Sequence, residues 1–173
     1  MKKFSGLMLI VLLFTSMFGC TNRKISHNEF MDFADRCRAF EYYQTCSKFT
    51  LDVEQTYHYN HNNGFLFETY TMLGSCLCNS EEFASIKEDV QNKFVLEAVA
   101  TNFPINNIKY DIYLVENKNR LYGEFQEFGF VAFNAEKNII DFYWFFDQDN
   151  DLKIYDEESF SEFFNTYFSW LLQ

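Results

Sequence analysis

The residues best suited to chemistry gather near the C-terminus, where Asp147 to Glu158 reads Asp-Gln-Asp-Asn-Asp-Leu-Lys-Ile-Tyr-Asp-Glu-Glu. Counted from Asp147, carboxylates stand at positions 1, 3, 5 and 12, with the aliphatic Ile154 at position 8. Hard divalent cations take oxygen ligands, and alternating carboxylates on a tight loop can converge on one ion. The competing reading is a solvated strand–turn–strand. Asp and Asn make turns through hydrogen bonds to their own backbone, and Glu157 and Glu158 suit the positive end of a following helix.

The spacing resembles an EF-hand calcium loop. That resemblance implies Asp147, Asp149, Asp151 and Glu158 as side-chain ligands, with Lys153 supplying its carbonyl. The sequence departs from it at Leu152, position 6, where the sharp left-handed turn takes Gly. The segment entering the loop also reads as a strand rather than a helix.

Cysteine is the second chemical resource. Cys37, Cys46, Cys76 and Cys78 follow Cys20, and an even count in an exported chain predicts two disulfides. A metal reading of Cys76-Leu77-Cys78 lacks the two-residue spacer and the matching second pair of zinc sites. Two cysteines two apart on an extended segment point the same way, and a bridge between them is strained. Cys76 and Cys78 are therefore expected to reach back to Cys37 and Cys46. His58 and His61 flank an expected hairpin tip, where solvated histidines are commoner than metal ligands. The sequence has no Gly-rich phosphate loop, nucleophile elbow or His-Glu-x-x-His pair. It nominates no catalytic residue, and the expectation is a non-enzyme with no cofactor other than calcium.

The chain begins with two lysines, an apolar run from Phe4 to Phe18, then Gly19-Cys20. The run is too short to span a bilayer and suits a signal peptide. Met17-Phe18-Gly19-Cys20 resembles the lipobox of bacterial lipoprotein precursors. The resemblance implies cleavage before Cys20 and a lipid on its sulfur. Thr21 and Asn22, in place of Asp, imply by the same resemblance the outer membrane, facing the periplasm. Residues 1–19 are then the signal peptide, 20–26 a lipidated tether and 27–173 one domain. A formal charge of −11 opposes nucleic acid and leaves a basic protein partner or a cation as binding partners.

These residues need a scaffold, and the hydrophobic period supplies one. Phe30, Phe33, Ala34, Cys37 and Phe40 recur at helical spacing, so a helix is expected from His27 to about Gln44. Strands are expected over Phe49–Tyr59, Phe65–Leu73, Ile108–Leu114, Leu121–Phe133 and Ile139–Phe146. A middle helix, capped by Asn79 or Ser80, runs to about Asn102, ahead of Pro104. A final amphipathic helix opens on a Ser159/Glu162 capping box and buries Phe160, Phe163, Phe164, Tyr167, Trp170 and Leu171. The expected class is α+β: an antiparallel sheet of about five to six strands with these helices packed on one face. The ending, Asp156-Glu-Glu-Ser-Phe-Ser-Glu-Phe-Phe164, is similar to the C-terminal end of SUKH-type immunity proteins. That likeness implies an immunity-type binding protein, and the strong acidity suits neutralising a basic toxin.

Overall fold

The computed structural model describes residues 21–50, 53–63, 68–119, 126–147, 154 and 156–172. Among them the chain runs β1 (Thr21–Ile25), α1 (His27–Arg36), α2 (Phe40–Phe49), β2 (Glu54–Asn63), β3 (Glu68–Leu77), α3 (Ser80–Lys93), β4 (Glu97–Ile105), β5 (Ile108–Asn119), β6 (Gln126–Asn134), β7 (Ile139–Asp147), α4 (Glu157–Tyr167) and a short 3-10 turn, Ser169–Leu171. The strands form one open antiparallel sheet in the order β1-β2-β3-β7-β6-β5-β4. The class is α+β. The strand number, seven among the described residues, exceeds the expected five to six, and two of the seven strands fall on segments expected to be something else.

One of these is Thr21–Ile25, expected as a tether. It is a sheet edge, paired with β2 from Thr21↔His61 to Ile25↔Tyr57. The other is Glu97–Ile105, expected as the end of the middle helix. That helix stops at Lys93, and Phe94 is already extended with ψ 150°. The β-branched and apolar residues around Val95 and Val99 fit a half-buried strand better than a helix. β4 is an edge carrying Pro104 and register shifts between Ala98 and Phe103, both of which blunt an edge against pairing with another chain.

The expected first helix is two helices. Arg38 adopts φ 61° after α1. Ala39 N–H donates to the Ala34 carbonyl at 2.7 Å and Arg38 N–H to that of Asp35 at 3.3 Å. This is the Schellman stop, here built on Arg where Gly is usual. Ala34 and Ala39, the two residues it joins, are both fully buried.

The helices are not all on one face. Side chains alternate along the central strand β7, and each set enters its own core. Ile140, Phe142, Trp144 and Phe146 pack with Phe30 and Ala34 of α1, Tyr42 and Tyr43 of α2, and Phe83, Ile86 and Val90 of α3. Tyr143 and Phe145 pack with Phe160, Phe163 and Phe164 of α4, then Phe168 and Trp170. An uninterrupted apolar run such as Ile139–Phe146 is what burial on both faces requires. The cap of α4 is Asp156, with Ser159 as its box partner, rather than Ser159 with Glu162.

Candidate functional site

Burial settles one candidate first. Every large aromatic of α4 and the following turn that the helical stripe selects, apart from Tyr167, is buried, so this face is core. Trp170 Nε1–H donates to Thr71 Oγ1 at 2.9 Å, and Asn106 Nδ2–H to the Leu171 carbonyl at 2.6 Å, which ties the C-terminal end down.

The acidic run is described only at its ends. Asp149, Asp151 and Lys153 lie outside the described residues. Asp147 closes β7, buried, with Thr69 Oγ1–H donating to its carboxylate at 2.6 Å. Glu158 is exposed in the first turn of α4. Among the described residues no three His, Cys, Asp or Glu side chains converge as a metal site. The histidines do not share one. His58 faces Trp170 on the α4 side, with ring centroids 6.4 Å apart, while His61 stacks on Tyr70 at 4.2 Å on the other. Both lie within β2 rather than at its tip, and residues three apart in a strand point to opposite faces. Burial lowers the pKa of each, so both favour the neutral form.

All four described cysteines enter the α1–α3 core, and none of the expected disulfides is formed among them. Cys37 Sγ lies 3.1 Å from Met72 Sδ. Met72 precedes Cys76 by four residues on β3, about 13 Å along the strand, which is beyond disulfide reach. Cys46 and Cys76, by contrast, line one small cavity with Tyr43, Thr50 and Gly74. Burial pushes the Cys37 and Cys76 thiols up to about 12, leaving them poor nucleophiles.

The sequence reading missed Asp141, the one charge-bearing residue inside the apolar run of β7. It is 4 % exposed. Ser75 Oγ–H and Tyr143 O–H donate to its carboxylate, the latter at 3.1 Å, and Tyr110 adds a third hydroxyl. Burial nevertheless raises its pKa to about 6 against the lowering effect of these donors. A lone Asp in a central-strand run was the available signal.

Of two open surface grooves among the described residues, the larger lies at the opposite end of the sheet from Asp147. The end of α2 and the first turns of α3 border an open groove of about 470 Å³. Phe49, Val53 and Ile86 provide its apolar lining, and Glu81, Glu82, Ser85 and Lys48 its polar rim. Asn79 fixes this arrangement. Its side chain accepts from the N–H groups of Glu81 and Glu82, both at 2.9 Å, and its own N–H donates to the Glu82 carboxylate at 2.7 Å. That capping box starts α3 and holds Glu82 in one rotamer, leaving Glu81 exposed. The groove was not foreseen, because it joins segments that are about thirty residues apart in the sequence.

Among the described residues no helix is long and apolar enough to cross a membrane. No family model, curated protein or solved structure matches the chain.

Proposed function

We propose that this chain is a lipid-anchored bacterial envelope protein that binds a basic protein partner, without chemistry of its own, through the groove between α2 and α3. The carrying observation is the groove's pairing of an apolar lining with carboxylates on its rim. Such a site accepts an apolar side chain flanked by Lys or Arg. Charge complementarity steers encounter and discriminates partners, and a formal charge of −11 extends the attraction beyond the groove. The lipobox-like Met17-Phe18-Gly19-Cys20 supports a lipid on Cys20, and Thr21-Asn22 in place of Asp supports residence on the outer membrane, facing the periplasm. The likeness of the last helix to SUKH-type immunity proteins makes a secreted basic toxin the partner class of choice.

Co-expression with a basic product of the adjacent gene should yield a complex that copurifies. Glu81→Lys should weaken it roughly tenfold, equivalent to about 1.4 kcal/mol, and more at low than at high salt. Absence of any complex, or affinity indifferent to Glu81→Lys, would overturn the assignment.

A further inference from the structure

If Cys20 carries lipid, as proposed above, the sheet leaves little freedom in how the domain sits. β1 begins at Thr21, the next residue, and adjacent Cα atoms are about 3.8 Å apart. No spacer separates the anchor from the folded sheet. Five consecutive pairs with β2 and the burial of Ile25 hold the strand in register.

The register also says which end of the sheet the anchor occupies. Thr21 is opposite His61, close to where β2 ends at Asn63 and β3 begins at Glu68. The end of β7 at Asp147 is level with Thr69. The groove belongs to the other end, where Glu54 pairs with Leu77 and the chain enters α3. From the His61 level to the Glu54 level is seven strand residues, about 23 Å.

A second observation distinguishes the anchor end. Phe33, Tyr59, His61 and Tyr70 form a half-buried aromatic cluster there, with Phe33 3.9 Å from Tyr59 and 5.4 Å from Tyr70 between ring centroids. Tyrosines with one apolar side and one wet side suit the headgroup region of a bilayer.

We infer that the sheet end bearing Thr21, His61 and Glu68, with the Phe33–Tyr59–Tyr70 cluster beside it, is a membrane-facing surface, held without a spacer against a bilayer. The groove then points away from the membrane, toward the aqueous space. The partner surface is zwitterionic lipid, because the cluster is bordered by both signs of charge, Glu29, Asp32 and Glu68 with Arg36, and the chain's net negative charge opposes anionic headgroups.

The test uses full-length protein, processed in cells and reconstituted in phosphatidylcholine vesicles containing headgroup-nitroxide lipid. Glu68→Cys and Glu136→Cys place a fluorophore at the anchor end and at the exposed β6–β7 turn of the far end. The native thiols are buried and react slowly with the label. Quenching at position 68 should exceed that at 136 by roughly threefold or more, given their separation along the strands. A six-residue Gly-Ser insertion between Cys20 and Thr21 should abolish the difference. Equal or reversed quenching in protein whose mass includes the lipid overturns the orientation alone. Mature protein without that mass overturns the anchored reading, and the orientation with it.

Discussion

The two faces of the sheet solve burial differently. The α4 face is a stack of phenylalanines, with Phe164 5.3 Å from Phe168 and Phe145 4.9 Å from Phe163 between centroids. The face under α1–α3 uses aromatics with polar tips. Tyr42 O–H donates to the Phe130 carbonyl at 2.6 Å, Tyr43 O–H to that of Phe142 at 3.1 Å, and Trp144 Nε1–H to that of Cys37 at 3.2 Å. Among the described residues the α4 face has such bonds from Trp170 to Thr71 and from Tyr143 and Tyr110 to Asp141, and relies otherwise on apolar area, which is non-directional. The other adds directional bonds that fix where short helices sit, and the groove between α2 and α3 depends on that placement. The lesson is that conspicuous aromatics mark scaffold here, while the groove proposed as the binding surface is built by modest residues held in place.

The largest expected effect would come from breaking the apolar face. Phe164→Ala removes a ring buried among Tyr143, Phe160 and Phe168 and should cost about 3–5 kcal/mol in a denaturant titration. A cost under 1 kcal/mol would mean α4 contributes little to the fold.

Asp141 gives the sheet a pH dependence. Its pKa rises from 3.8 to about 6 on folding, so the native state binds its proton more tightly than the unfolded chain does. The stability this brings is present below pH 4 and is lost as pH rises toward 6, by about 3 kcal/mol in total. Asp141→Asn keeps the shape without the charge. It should melt higher than the parent at pH 7.5 and nearly equal to it at pH 4, whereas equal curves at both would contradict burial as the dominant cause.

The turn between α1 and α2 supports a finer comparison. Arg38 combines a left-handed backbone with an ion pair, its Nη1 3.5 Å from the buried Glu127 carboxylate. Ala and Gly at this position lose the ion pair equally, but only Gly escapes the backbone penalty. Arg38→Gly should therefore be more stable than Arg38→Ala by about 1–2 kcal/mol. Identical unfolding midpoints would argue against the left-handed conformation.

The described thiols all lie on the α1–α3 face, and their spacing there is testable. Oxidised glutathione, acting as a disulfide oxidant on the partly denatured chain during refolding, should link Cys46 to Cys76 in preference to any pair containing Cys37, as read by peptide mapping. A dominant Cys37–Cys76 link would contradict the 13 Å strand separation argued from Met72. The smallest effect is expected from calcium. Because Thr69 engages Asp147, melting should be the same in excess calcium and in chelator. A rise with calcium would establish an ion-stabilised loop over 147–158 instead.

Much of the scaffold was legible in the residues. β7, the His27 and Asn79 helix starts and the apolar stripe of α4 follow from period and capping chemistry, and all are present. What failed has physical reasons. Cys37 continues a helical stripe that the chain leaves through a non-Gly Schellman turn, and no residue type announces an arginine in that role. Thr21–Ile25 is polar and short, and only pairing with β2 makes it a strand. Periodicity reports that one face of a helix is buried but not which side of the sheet buries it, so the placement of α4 opposite α1–α3 was not readable. The groove was invisible for a related reason: Phe49 and Ile86 are unremarkable until the fold sets them together.

The central claim is that this is an anchored domain presenting a groove, and its anchor can be read directly. Mass spectrometry of the mature N-terminal peptide from membranes should find a chain starting at Cys20 with a diacylglycerol thioether on its sulfur. A peptide beginning elsewhere, or an unmodified Cys20, would contradict the account.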